Sequence, residues 1–195
     1  MRGSGVLMGS MMLVALVGLL LGAGTVTYFS DTETSGGNSF AAGTLDLKVD
    51  GNDNPISAYF SVSNVEPGDS DEVVISLSNA GSLDGNAKIH VKNVVNNPGE
   101  TPEPEPTADN GELGANLLIT ILYDVNGDGD YDDDGETIVS DTPLDDLDCT
   151  SYDLGPLPAG ASRNLKISWS IPSDTGNEIM GDIVGFEIEF SLEQA

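Results

Sequence analysis

The chain has 195 residues, with 6 Lys plus Arg against 33 Asp plus Glu, a formal charge of -27, one cysteine and one histidine. So acidic a chain excludes a nucleic-acid partner and docking on anionic lipid, both of which need clustered Lys and Arg. A single cysteine, Cys149, excludes an intrachain disulfide, so stability must come from packing, metal or assembly.

No charged residue lies between Arg2 and Asp31. Met11 to Leu21 is strongly apolar, and the small residues Gly22-Ala23-Gly24-Thr25 follow. One positive residue, a short apolar core and a small-residue exit read as a secretory signal peptide, residues 1–27, cleaved between Ala23 and Tyr28. The apolar run is shorter than the ~20 residues a bilayer-spanning helix needs. The mature chain is therefore expected outside the cell or at its surface.

The rest reads as all-β. Apolar side chains alternate with polar ones at Leu45, Leu47 and Val49, at Ala58, Phe60 and Val62, and at Val73, Ile75 and Leu77. The pattern returns at Ile89 and Val91, from Leu165 to Ile171, and from Phe186 to Leu192. Leu117 to Tyr123 is apolar at nearly every position, as in a central strand covered on both faces. Turn residues separate these runs at Glu66-Pro67-Gly68-Asp69, Asn79-Ala80-Gly81-Ser82, Leu83-Asp84-Gly85-Asn86 and Pro156 to Gly160. One dry and one wet face per sheet predicts two sheets packed as a jelly-roll or Ig-like β-sandwich over residues 43–195. The one helix candidate is short, around Glu112 to Asn116. Residues 97–109 alternate Pro and Glu and read as an extended surface loop.

The most specific local motif spans Asp124 to Glu136. Asp124, Asn126 and Asp128 followed by Gly129 match the opening of a calcium loop, D-x-N-x-D-G. Calcium takes six to eight hard oxygen ligands. Asp124, Asn126 and Asp128 would offer side-chain oxygens, Asp130 a carbonyl or carboxylate, and Asp132, Asp134 and Glu136 compete for the remaining places. An EF-hand would carry Glu at Gly135, and helices would flank it; here the flanks read as strands. Six Asp between Asp124 and Asp134 repel one another unless a cation joins them.

Catalytic signatures are not found. His90, alone, lies between Lys88 and Lys92 on the polar face of a strand. One histidine cannot build a His-Glu-x-x-His zinc helix, and no G-x-S-x-G elbow, phosphate loop or dinucleotide fingerprint occurs. Cys149 follows Asp145, Asp146 and Asp148, an acidic setting unlike the electropositive surroundings of catalytic thiols. The chain reads as a non-enzyme.

Several segments in order carry a family likeness. Tyr28-Phe29-Ser30-Asp31-Thr32-Glu33-Thr34-Ser35 follows the apolar leader. Then come Asn38-Ser39-Phe40-Ala41-Ala42-Gly43-Thr44-Leu45-Asp46-Leu47, Val65-Glu66-Pro67-Gly68-Asp69 and Asn79-Ala80-Gly81-Ser82-Leu83. Ser168-Trp169-Ser170-Ile171-Pro172, Gly176 to Asp182 and a Phe-rich final strand complete the series. The mature chain resembles the TasA/camelysin family of biofilm-matrix fibre proteins and archaeal bundling pilins. The resemblance implies a jelly roll, cleavage between Thr27 and Tyr28, and assembly by donor-strand complementation. In that scheme the leading segment, residues 28–42 with anchors Tyr28, Phe29 and Phe40, completes the sheet of the next copy, giving a head-to-tail homopolymer that can also associate sideways. Two other readings stand beside a calcium-stabilised fibre subunit: a monomeric calcium-dependent surface adhesin or envelope protein, and a camelysin-like metallopeptidase.

Overall fold

Nine strands occur among the described residues of the computed structural model, which are 43–53, 57–98 and 110–195. They are β1 (Leu47–Val49), β2 (Ser57–Ser63), β3 (Ser70–Asn79), β4 (Gly85–Asn97), β5 (Leu118–Tyr123), β6 (Thr137–Pro143), β7 (Thr150–Leu157), β8 (Ser162–Ser170) and β9 (Ile183–Gln194). One four-residue helix, α1 (Leu113–Asn116), precedes β5. These elements belong to a compact unit, Ala42–Ala195. The expected signal peptide, the segment with Tyr28, Phe29 and Phe40, and most of the Pro-Glu loop lie outside the described residues.

Two antiparallel sheets form, in the orders β1-β3-β8-β5-β6 and β2-β9-β4-β7. The alternation in the sequence decides which side chains meet between them. Ile75 and Leu77 of β3, Leu165 and Ile167 of β8, and Ile119 and Ile121 of β5 are buried against Val184, Phe186, Ile188 and Phe190 of β9 and Ile89 and Val91 of β4 in one core. Phe60 of β2 stacks on Phe186, with ring centroids 4.9 Å apart and planes 14° from parallel. Burying side chains of this size stabilises by roughly 1.5–3 kcal/mol each, before conformational entropy is charged against it.

The two open sides of the sheet pair differ. On the side of edge strands β6 and β7, the connecting 3-10 turn Leu144–Leu147 sends Leu144 and Leu147 into the core, with Leu113 and Leu117 buried as well. Asp182 holds α1 there, its Oδ2 accepting the N–H groups of Glu112 at 2.6 Å and Leu113 at 3.0 Å. On the opposite side, β2 and β1 are the edges, and β1 has three residues only.

One sequence expectation changes, and one strand is added. Leu117 to Tyr123 is not central: β5 lies second from the edge, and its outward residues Leu118, Thr120 and Leu122 are only half-buried. Thr150–Leu157, assigned to no strand from the sequence, pairs with β4 as an edge strand, Thr150, Tyr152 and Leu154 turned inward and Ser151 and Asp153 exposed. Pro156 and the bulge between Ala87 and Lys88 spoil its pattern, and an edge is where a sheet tolerates proline.

Candidate functional site: an acidic loop and an interrupted sheet edge

The acidic loop joins β5 to β6. Its two ends are fixed by the sheet: Tyr123 N–H donates to the Glu136 carbonyl at 2.8 Å and Asp124 N–H to the Asn164 carbonyl at 3.0 Å. Asp124 and Glu136 are both buried. Asp124 accepts the Gly127 and Gly129 N–H groups at 2.5 and 3.1 Å. Glu136 accepts those of Val125 and Asp133 at 3.2 and 3.0 Å. The φ of +91° at Gly129 gives the turn its direction, in a region that disfavours side chains.

Carboxylate oxygens of Asp124, Asp128 and Glu136 lie within 4.8 Å of one another, and so do those of Asp128, Asp130 and Asp133. Asn126 joins the groups: its Oδ1 accepts the Asp128 N–H at 2.9 Å, and its amide donates to Asp128 at 2.8 Å and Asp133 at 2.5 Å. Of the residues read from the sequence, Asp124, Asn126, Asp128, Asp130 and Glu136 therefore stand together, while Asp132 and Asp134 fall in neither cluster. Asp133 is an addition that the D-x-N-x-D spacing does not reveal. The Asp132 carboxyl beside Asp130 raises the Asp130 pKa above its ordinary value.

Among the described residues neither Asp124 nor Glu136 forms a salt bridge; both are held by backbone N–H groups. A buried charge is costly unless matched, and these clusters could bind a metal ion. Oxygen-only donors suit a hard cation. Tyr131 ties the loop to the sheet, since Lys166 Nζ lies 5.9 Å from its ring centroid and 2.6 Å from Glu72 Oε2 on β3.

Strand β3 has a second functional feature. It pairs with β8 along Ser70–Ser78, but with β1 only at Leu77–Asn79. Asp50, at φ +48°, turns the chain away after β1. Among the described residues nothing pairs with the far side of Ser70–Ile75. Odd residues face β8, as the Asn79 N–H to the Ala161 carbonyl shows, so Ser70, Glu72 and Val74 aim their backbone groups at the open side. There the Asp71 carboxylate accepts the Glu72 N–H at 2.8 Å. Between this edge and β2 lies a groove of about 220 Å³ lined by Phe60, Val62, Val73, Ile167, Trp169 and Phe186 together with Ser61 and the acidic Asp71 and Glu72. Val73 is 41% exposed. Sequence reading missed this edge; its one local trace is the Val73-Val74 pair, apolar on both faces of a strand.

His90 is on β4, where Nδ1 contacts the Thr150 carbonyl at 3.0 Å and Ser151 Oγ at 2.9 Å. Cys149 is exposed, with φ +58°.

Fold and site define an all-β protein of two antiparallel sheets with an acidic, metal-competent loop. The profile of the family described as camelysin metallo-endopeptidase matches residues 5–189, and the chain belongs to this family, that of camelysin and TasA. No curated protein matches the chain. The residues do not fit a peptidase zinc centre: the acidic clusters contain no histidine or cysteine, and a catalytic zinc is usually held by three protein ligands, histidine prominent among them. Among the described residues no helix is long and apolar enough to cross a membrane.

Proposed function

We propose that this chain is a secreted structural subunit that polymerises into extracellular fibres of a biofilm matrix. Its leading segment, from Tyr28 to Phe40, leaves its own copy and completes the β3 edge of the next. The observation that carries this reading is the interruption at Ser70–Ile75 among the described residues: backbone donors and acceptors aimed outward beside a groove with an apolar floor and acidic Asp71 and Glu72 in its lining. An extended peptide added there satisfies those groups and places alternate side chains in the groove. Tyr28, Phe29 and Phe40 are the anchors. Donation from copy to copy is a head-to-tail contact, and such contacts propagate into filaments.

Calcium completes the acidic loop in this reading. Asp124, Asp128 and Glu136 would hold it, with Asn126 and Asp130 beside them. The ion offsets the buried charge of Asp124 and Glu136 and so stabilises the subunit.

The test is negative-stain microscopy of the mature chain and of a form lacking residues 28–40, each with and without calcium. Filaments are expected from the first alone; filaments from the second refute donation. The family description favours a second reading, a secreted metallo-endopeptidase. Zinc content together with a casein assay decides it, and stoichiometric zinc with cleavage would displace the structural reading.

A further inference from the structure

Of the chain's 6 Lys and Arg, all but Arg2 lie among the described residues, and the strand register gives each a place. Lys88 and Lys92 are on β4, where they pair with Glu193 at 2.6 Å and Glu189 at 2.8 Å. Arg163 stands opposite Leu77, its Nε and Nη1 donating to the Val125 and Ser162 carbonyls at 2.9 Å each. Lys48 stands opposite Ser78, with Asp53 at 2.5 Å and Asp46 at 3.7 Å. Lys166 alone among them stands opposite the open stretch of β3, across from Val74. Ile75 and Leu77 on β3 and Leu165 and Ile167 on β8 are buried in the core, so Glu72, Val74 and Lys166 share the outer face of the sheet. There Lys166 Nζ lies 2.6 Å from Glu72 Oε2 and 5.9 Å from the Tyr131 ring centroid. Asp71, Glu72 and Asp141 line a cavity of about 430 Å³ along the same stretch, and no basic residue lines it.

The segment proposed to fill this edge is acidic too: from Tyr28 to Phe40 it has Asp31 and Glu33 and no Lys or Arg. Side chains alternate along an extended strand, so Asp31 and Glu33 fall on one side together with Phe29, and Tyr28, Ser30 and Thr32 on the other. Turning the acids into the groove would bury two charges beside Asp71, at high cost. The phase that fits puts Tyr28 toward the groove and Asp31 and Glu33 on the outer face, next to Glu72. Like charges on neighbouring strands weaken the pairing unless a cation joins them.

We infer that Lys166 is the residue that recognises the incoming segment by charge, bridging Glu72 of its own copy and Asp31 or Glu33 of the next. This rests on the polymer reading above and adds to it a determinant of which segment is accepted. The incoming strand lies two strand spacings from β8, roughly 10 Å, and the lysine already crosses one of them to reach Glu72. An extended peptide without an outward acid forgoes the bridge, and one with an outward lysine meets repulsion instead.

Mature wild-type and Lys166→Glu chains are compared by sedimentation and negative-stain microscopy across protein concentration, with circular dichroism to show that both are folded. The variant is expected to need about 5-fold more protein to form fibres, the factor that one exposed ion pair supplies. Lys166→Met, which keeps the stem, is expected to fall between the two. Adding the opposite reversal in the same chain, Asp31→Lys or Glu33→Lys, is expected to restore assembly of Lys166→Glu in one of the two pairs, which a lysine that only braces its own sheet would not allow. Unchanged assembly of Lys166→Glu, or rescue by neither reversal, overturns the inference. If the wild type forms no fibre, the polymer reading fails by itself, and recognition is read from a labelled peptide of residues 28–40 added to the mature chain. Binding weakened by Lys166→Glu and regained with a reversed peptide supports it; no binding, or binding indifferent to that substitution, overturns it.

Discussion

Asp50 and Ser76 close one end of the β3 edge by a double contact: the Asp50 N–H donates to the Ser76 carbonyl at 2.8 Å, and the Asp50 carboxylate accepts the Ser76 N–H at 2.8 Å. The open stretch begins one residue below. The same aspartate that ends β1 therefore sets how much of β3 lacks a second neighbour among the described residues, six residues from Ser70 to Ile75, or about 20 Å of strand.

Filling that stretch with charge is expected to stop assembly without unfolding the subunit. Val73 is half-exposed, so Val73→Asp leaves the core intact and costs within about 1 kcal/mol. The charge faces the groove and repels an incoming apolar strand. Circular dichroism should show native melting and microscopy no filaments; normal filaments would remove β3 as the acceptor.

Calcium should raise the melting temperature of the wild type, by the equivalent of about 2.7 kcal/mol at a hundredfold excess over Kd. Asp124→Asn and Glu136→Gln are expected to abolish the rise, and EDTA to reverse it. Asp132→Asn and Asp134→Asn, outside both clusters, should leave most of it. Scanning fluorimetry across the four variants checks the set, and equal loss in all four would mean diffuse charge neutralisation rather than a site.

Alkali should destabilise the fold. Burial pushes the Tyr123 hydroxyl up to about 12 from 10.0. Lys48 is raised from 10.5 mainly by its hydrogen bond to Asp53, Lys88 by Glu193 and Lys92 by Glu189. Each group holds its proton more tightly folded than unfolded. Their contribution is thus complete below pH 10 and falls away as pH rises through the folded values. Melting temperature measured from pH 8 to pH 12 is expected to be flat and then to drop above about pH 10; Tyr123→Phe should soften the drop.

Phe186 is the core residue whose loss reaches the groove as well. Phe186→Ala removes the partner of Phe60 and a groove wall, and is expected to cost ~3–5 kcal/mol. Urea unfolding measures it; a loss below ~1 kcal/mol would mean that the ring is not packed as described.

Much of this molecule was legible from local pattern. Period-2 alternation placed β3, β4, β8 and β9 because each strand has one wet and one dry face, a property written residue by residue. The clustering of Asp124, Asp128, Asp130 and Glu136 was legible for the same reason, since these acids lie within thirteen consecutive positions. Strand β7 was not, because its alternation runs only from Thr150 to Leu154 before the bulge and Pro156 interrupt it. Tertiary structure alone decided that β1 abandons β3 at Ser76, that Asp124 and Glu136 are buried, and that Lys166 stands opposite Val74, far from it in the chain. Strand pairing is a contact between distant residues, and no local period records which edge is left without a neighbour.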